Sequence, residues 1–267
     1  MPLLTRPLPA QAALKAGAMA WFVAATLGQW AFVAFIALFF GGHTLAGDLA
    51  GLGAKPQVMG YVPGDTLGNT QLVAHALLGG LVTFVGTWQL IPALRRRWPR
   101  LHRWNGRLFF VVALVVTLGG FWLTWGRGAQ LGLGSNISIS LNGLLILAFV
   151  GLAWRAARRR DFTTHRQHAL RAWLLVNGVW FLRIGIILAG LVLAQMGIRI
   201  DYTGATFVIV SFASWVLPLA LLELYLWAER TPRRGPKLAV AGLLGGLALT
   251  TLVGSAAALT FMWWPYL

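Results

Sequence analysis

The chain has no cysteine, and only six of its 267 residues are acidic. Without cysteine there is no disulfide, no thiolate metal site and no thiol nucleophile. The six carboxylates form no cluster in the sequence that suits a divalent metal. Charged residues make up 10% of the chain, where a soluble domain carries roughly 25%. A water-facing surface of ordinary size cannot be built from so few charges. Gly-rich phosphate loops, HExxH and GxSxG are also missing, which removes common signatures of nucleotide, zinc-protease and serine-hydrolase sites.

What is present is apolar sequence and arginine. The chain is 58% hydrophobic, with a mean hydropathy of +0.72. A membrane-spanning helix needs about 20 apolar residues. Seven runs qualify, at about 16–41, 70–93, 107–126, 137–156, 167–195, 205–228 and 238–262. Backbone groups in lipid must bond within their own segment, so these runs are predicted to be helices. The expected fold is an all-α, polytopic membrane helix bundle forming a single transmembrane domain over 1–267. The first run is too long for a signal-peptide core and reads as a retained helix.

The cations sit in alternate gaps between these runs. One gap holds Arg95, Arg96, Arg97, Arg100, Arg103 and Arg107; the next holds Arg155, Arg158, Arg159, Arg160, Arg166 and Arg171; a third holds Arg230, Arg233, Arg234 and Lys237. The gaps between them carry only Lys55, Arg127 and Arg199. Cytoplasmic loops retain Lys and Arg. The arginine gaps are therefore predicted to face the cytoplasm of a bacterial inner membrane. The N-terminal Arg6 and Lys15 would lie inside, and the C-terminal Trp263-Trp264-Pro265-Tyr266 outside. The net charge of +16 then reads as topogenic charge beside anionic lipid headgroups, with the lipid bilayer as partner and no nucleic acid. Tryptophans near span ends, Trp21, Trp88, Trp98, Trp104, Trp154 and Trp227 inside and Trp125, Trp263 and Trp264 outside, are expected at headgroup level.

The longest polar stretch is the outer loop 42–69. Within it, Val62-Pro63-Gly64-Asp65 reads as a turn with Pro and Gly in the central positions, and the loop either caps a cavity or simply connects. In the last run, Gly242 and Gly246 have GxxxG spacing, a weak signal for a packing face.

Four ionisable features stand out. His75 lies in the second span and is either hydrogen-bonded to a neighbouring helix or engaged with a ligand or proton. His102, His165 and His168 mark the inner mouths of spans three and five. They read as interfacial histidines bound to phosphate or loop carbonyls, or as axial ligands of a b-type haem between those spans. In the haem reading Arg107 and Arg171 contact propionates; they suit lipid phosphate equally. Arg183 is a charge in the middle of span five and needs an anion or carbonyls. Glu223, the one acid inside a span, is its candidate ion-pair partner, or the two flank an anionic ligand. Gln89, Asn142 and Asn177 are expected to bond between helices.

The stretch from His75-Ala-Leu-Leu-Gly-Gly through Gln89-Leu-Ile-Pro92 and the Arg95–Arg97 run to Leu101-His102-Arg103-Trp104-Asn105-Gly106-Arg107 resembles a bacterial membrane-protein family known as domain-of-unknown-function family 2306. The second half fits too: His165-Arg166, Leu170-Arg171, Leu182-Arg183, then Glu223. The resemblance covers about 60–230, leaving helices at about 16–41 and 238–262 as additions. The family pattern marks His165 and usually has an aromatic where this chain has His168; its name implies no activity. A looser similarity is to the ascorbate-reducible cytochrome b family, which holds two haems through helix pairs two–four and three–five. Span four here has no histidine, so the similarity implies at most one haem, at His102 with His165 or His168. The expected function is electron transfer through that haem. The alternatives are a non-redox binding or transport protein whose polar cavity, lined by His75, Arg183 and Glu223, takes an anionic or lipid-like ligand, and a non-catalytic scaffold.

Overall fold

The computed structural model describes residues 9–55, 61–128, 132–201 and 204–267. Arg6 lies outside them. Seven helical stretches are long and apolar enough to cross a membrane, in the order read from the sequence. The main helices are α1 (Ala10–Ile36), α2 (Thr66–Gln89), α3 (Pro99–Phe121), α4 (Leu133–Arg158), α5 (Phe162–Val176), α6 (Gly178–Gln195), α7 (Ala205–Arg230) and α8 (Arg234–Ala258); each belongs to one of the seven stretches except α5, which is too short to cross by itself. No strand occurs among the described residues.

Local chemistry sets the helix starts. Asp65 accepts from the Gly68 N–H at 2.8 Å to cap α2, and Asp161 accepts from the Thr164 N–H at 3.0 Å to cap α5. Each bond favours the charged carboxylate and holds its pKa below the usual range. The Thr164 side chain adds to the effect at Asp161, as Arg127 does at Asp65. Pro99 opens α3, where its missing N–H costs no bond. The turn at 62–65 forms as expected: the Asp65 N–H bonds Val62 O at 3.1 Å, and Gly64 takes φ +80°. Arg127 pins this turn from the end of the third span, bonding Asp65 at 2.8 Å and Asn69 at 2.7 Å.

The fifth run is not one helix. It breaks at Asn177, between α5 and α6. Asn142 of α4 donates to Leu175 O at 3.2 Å, and Asn177 donates back to Trp173 O at 2.8 Å. Side chains inserted into the backbone ladder are a common cause of such breaks. The consequence is architectural. α5 packs along α4, while α6 packs on α7 and α8.

Helices α2, α3, α4 and α5 follow one another in the packing: α2 lies against α3, α3 against α4, and α4 closely against α5, while α5 also packs on α7 and only touches α2. α3 and α5 make little direct contact. α1 runs beside α8 over much of its length. That approach is close because a Cβ at Gly17 would lie 2.7 Å from Ala241 O, and one at Gly28 2.2 Å from Ser255 Oγ. Gly242 and Gly246, by contrast, have nothing within 4 Å of a Cβ position. The GxxxG spacing is therefore not the packing face; Gly17 and Gly28 of α1 are. The first span continues through a π turn to Leu45, 36 residues in all. That is about 54 Å of helix, more than the ~30 Å apolar thickness, so it tilts or protrudes.

Candidate functional site

This packing places the histidines at the arginine-rich end of the bundle. His102 sits in the first turns of α3, His165 and His168 in the first turns of α5. Gln89 of α2 bonds His102 O at 3.2 Å, and Asn105 bonds Val85 O at 2.8 Å, so α2 fixes the start of α3. Gln89 bonds between helices, as expected. Of the three imidazoles, His102 and His165 lie within electrostatic range of each other. His165 Nδ1 lies 2.9 Å from Ala153 O of α4. A carbonyl accepts only, so this nitrogen carries the proton and Nε2 keeps its lone pair. The His102 Nδ1 is buried without a protein partner.

His168 is not part of that pair. Its ring lies against Phe149 at 5.7 Å, and its charged neighbours are Arg171, Asp161, Glu223 and His165. Its Nδ1 too is buried and unpartnered. Among the described residues no three His, Asp or Glu converge on a possible metal position. Arg107 rests over the exposed Trp104 ring at 4.7 Å, which suits headgroup level. A surface hollow of about 610 Å³ beside it is lined by Arg97, Trp98, Pro99, Arg100 and Leu101.

Glu223 does not meet Arg183. Arg171 closes on it with two bonds, 2.7 and 2.9 Å. Arg166 and Glu229 form a second fork nearby, at 2.8 and 3.2 Å. The reason is depth: α7 runs toward the arginine loops, so Glu223 reaches the level of α5, whereas Arg183 lies a turn beyond the Asn177 break. Two of the Arg171 nitrogens are thereby committed to Glu223.

Arg183 turns to α1. Its Nη1 donates to Val179 O at 2.9 Å, and its guanidinium lies 4.8 Å from the Phe32 ring centre. Phe32 stacks on Trp263 at 5.2 Å, and Trp263 on Phe35 at 6.1 Å. Trp263 is fully buried; it belongs to this stack and not to a headgroup belt. Sequence reasoning also missed Lys55. Nothing in the sequence separates it from a solvated loop lysine, yet it is 2% exposed. The segment Leu49–Ala54 folds down beside the first helix, and the Lys55 ammonium donates to Met262 O and lies 5.4 Å from Phe35 and 4.4 Å from Tyr266. Burial, and then the Arg183 charge, push its pKa down to about 8.

His75 lies on α2 within electrostatic range of Arg183. Its Nδ1 is buried and unpartnered, and its ring packs against Gly119 and Gly120 of α3. Cβ atoms there would lie 3.7 Å from its Nδ1 and 3.2 Å from its Cε1, so the double glycine makes room for the ring. The structure thus brings His102 and His165 within electrostatic range of each other, and His75 and Lys55 each within range of Arg183.

No curated protein and no solved structure matches this chain. A family described as "Predicted membrane protein (DUF2306)" matches residues 72–226. That segment holds α3, α4, α5 and α6 whole, with most of α2 and α7; it includes His75, His102, Arg107, His165, His168, Arg171, Arg183 and Glu223, while Lys55 lies outside it. The chain, a multi-pass membrane protein with seven apolar helices, belongs to the DUF2306 family of membrane proteins.

Proposed function

We propose that the chain is a membrane electron-transfer module that holds one b-type haem between α3 and α5, with His102 and His165 as axial ligands. The observation that carries this reading is that His102, at the start of α3, and His165, at the start of α5, come within electrostatic range of each other at the arginine-rich end of the bundle although α3 and α5 make little direct contact. Bundle cores are a common seat for flat groups; deeper in the bundle Phe109 of α3 and Trp173 of α5 fill the space beside Gly86 of α2, so the group would sit at the arginine-rich mouth, beside the two histidines. The residues fit the chemistry. His165 is held by Ala153 O in the tautomer that leaves Nε2 free, the carbonyl support typical of metal-bound histidine. The buried His102 Nδ1 lacks a protein partner, so that ring is open to a ligand. Arg95 and Arg103 lie within electrostatic range of His102 and supply positive charge for propionates. A haem bound there supplies one-electron chemistry; the protein's part is to orient the two imidazoles and balance the propionate charge. His168, stacked on Phe149, is left out of the ligand pair.

The test is an absorbance spectrum of the protein purified from haem-replete cells. A Soret band that shifts on dithionite is expected. It should be lost in His102→Ala and in His165→Ala and kept in His168→Phe. Folded protein with no Soret band overturns the reading.

A further inference from the structure

Arg183 sits among apolar side chains in the middle of the protein and cannot shed its proton. At that depth a guanidinium must be compensated. Among the described residues no carboxylate bonds it. Glu223 is held by Arg171, Glu229 by Arg166, Asp65 by Arg127 and Asp48 by His43, while Asp161 caps α5 and Asp201 lies against Gly204 at the start of α7. Val179 O takes Nη1 in a contact that is not enclosed; among the described residues the Nε and Nη2 edge of the fork makes no bond. This planar pair of donors matches two oxygens of one oxyanion.

The surroundings strengthen the match. Lys55 and Arg183 rest on one aromatic stack, on Phe35 and Phe32, one helical turn apart along α1. Lys55 feels the charge of Arg183 although it is almost wholly buried. Two cations in mutual range, one almost wholly buried and one partly so, repel each other, and an anion between them would relieve that repulsion. His75 brings a third polar group into range of Arg183; its ring bonds the Val116 backbone, and its Nδ1 is buried without a protein partner. Gln29, one turn before Phe32, is fully buried with both side-chain amide atoms unpartnered. A groove of about 310 Å³, lined by Leu67, Gln71, Leu118, Gly119 and Trp122, reaches the same glycine on which His75 packs.

We propose that Arg183, Lys55 and His75 hold an oxyanion of the phosphate class in the half of the bundle away from the arginine loops. Arg183 grips two oxygens with its free edge, Lys55 adds charge, and His75 contributes a hydrogen bond. The oxyanion is either free phosphate or the headgroup of a lipid. This site is separate from the His102–His165 pair and stands whether or not a haem is bound.

The experiment uses the full chain, purified in detergent and stripped of lipid, with thermal unfolding followed at constant ionic strength. Inorganic phosphate is one titrant, phosphatidic acid in mixed micelles the other, with chloride and phosphatidylcholine as controls. A saturable rise in melting temperature with inorganic phosphate is expected if the ion is free, and with phosphatidic acid alone if it is a headgroup. Lys55→Met, which lies outside the spans, should weaken the apparent affinity about tenfold. Arg183→Met should abolish it, and Arg183→Lys, the fallback if Met does not fold, should weaken it because the fork is lost. If neither titrant gives a saturable rise, or if Lys55→Met and an Arg183 variant respond as the parent does, the proposal is wrong. The Soret spectrum of each variant should be unchanged, which separates this result from the haem test.

Discussion

The two ends of the bundle handle positive charge in opposite ways. At the arginine-rich end, Arg166 and Arg171 each close a two-bonded fork on a glutamate of α7. Both glutamates keep contact with the surroundings, Glu223 being 49% exposed. In the other half, Arg183 and Lys55 lie against Phe32 and Phe35, Arg183 bonding Val179 O and Lys55 bonding Met262 O. The first arrangement is charge neutralised by the protein itself, at a depth where water and headgroups share the work. The second sets each cation against a backbone carbonyl and an aromatic ring. A chain with six acids and 22 cations places its span-borne acid in an ion pair at the arginine-rich end.

The largest effect should come from breaking the half that buries Arg183. A side chain at Gly28 would strike Ser255 and also Trp180, whose Cζ2 lies 2.7 Å from the Cβ position. Gly28→Leu should therefore destabilise by about 2–3 kcal/mol, read as a lower midpoint in thermal or denaturant unfolding. Gly242→Leu, on a helix face with open space, should change it by no more than about 0.5 kcal/mol. Equal effects would mean that the α1–α8 contact is not the close one.

An intermediate effect should appear with pH. Lys55 has a pKa of about 8 in the folded protein against 10.5 when free. Between those values the unfolded chain binds more protons than the folded one, so stability rises as pH rises from 8 to 10.5. Below about 8 both states are charged and the folded state bears the full cost of the buried ammonium. Melting temperature measured across that window should climb in the parent and climb less in Lys55→Met. Identical slopes would remove Lys55 from the buried set and, with it, the contrast between the two ends.

The smallest effect concerns the forks. A double-mutant cycle of Arg171→Met and Glu223→Gln should return a coupling of about 1 kcal/mol or less, as for a pair with one exposed partner. The same cycle with Arg183 in place of Arg171 should return none. A coupling between Arg183 and Glu223 would show that the depth difference is bridged in solution.

Much of the site's raw material was readable, but not its pairing. His102, His165, Arg183 and Glu223 stood out because ionisable residues in or beside apolar runs are rare. Arg183 was legible as a group needing carbonyls and an interior face, and it has Val179 O and Phe32. Its assignment to Glu223 failed because the Asn177 break, made by Asn142 from another helix, was not visible in an unbroken apolar run. His168 and His165 are three apart, yet only His165 reaches His102. Spacing along one helix says nothing about which neighbouring helix each ring meets. Lys55 was illegible altogether, since its burial depends on a loop folding onto α1 and the chain's last turns.

By itself, the sequence determined the solvent and the number of crossings. A chain this apolar, in seven runs of spanning length, must bond its backbone internally in lipid, and that makes helices whatever their order in space. The turn at Val62–Asp65 was equally local, needing only Pro63, Gly64 and a capping carboxylate. Tertiary structure alone decided which helices adjoin, where span five breaks, and which cations find acids. Those choices rest on side chains far apart in the chain, such as Gly28 with Ser255 and Lys55 with Met262, and apolar periodicity carries no record of them.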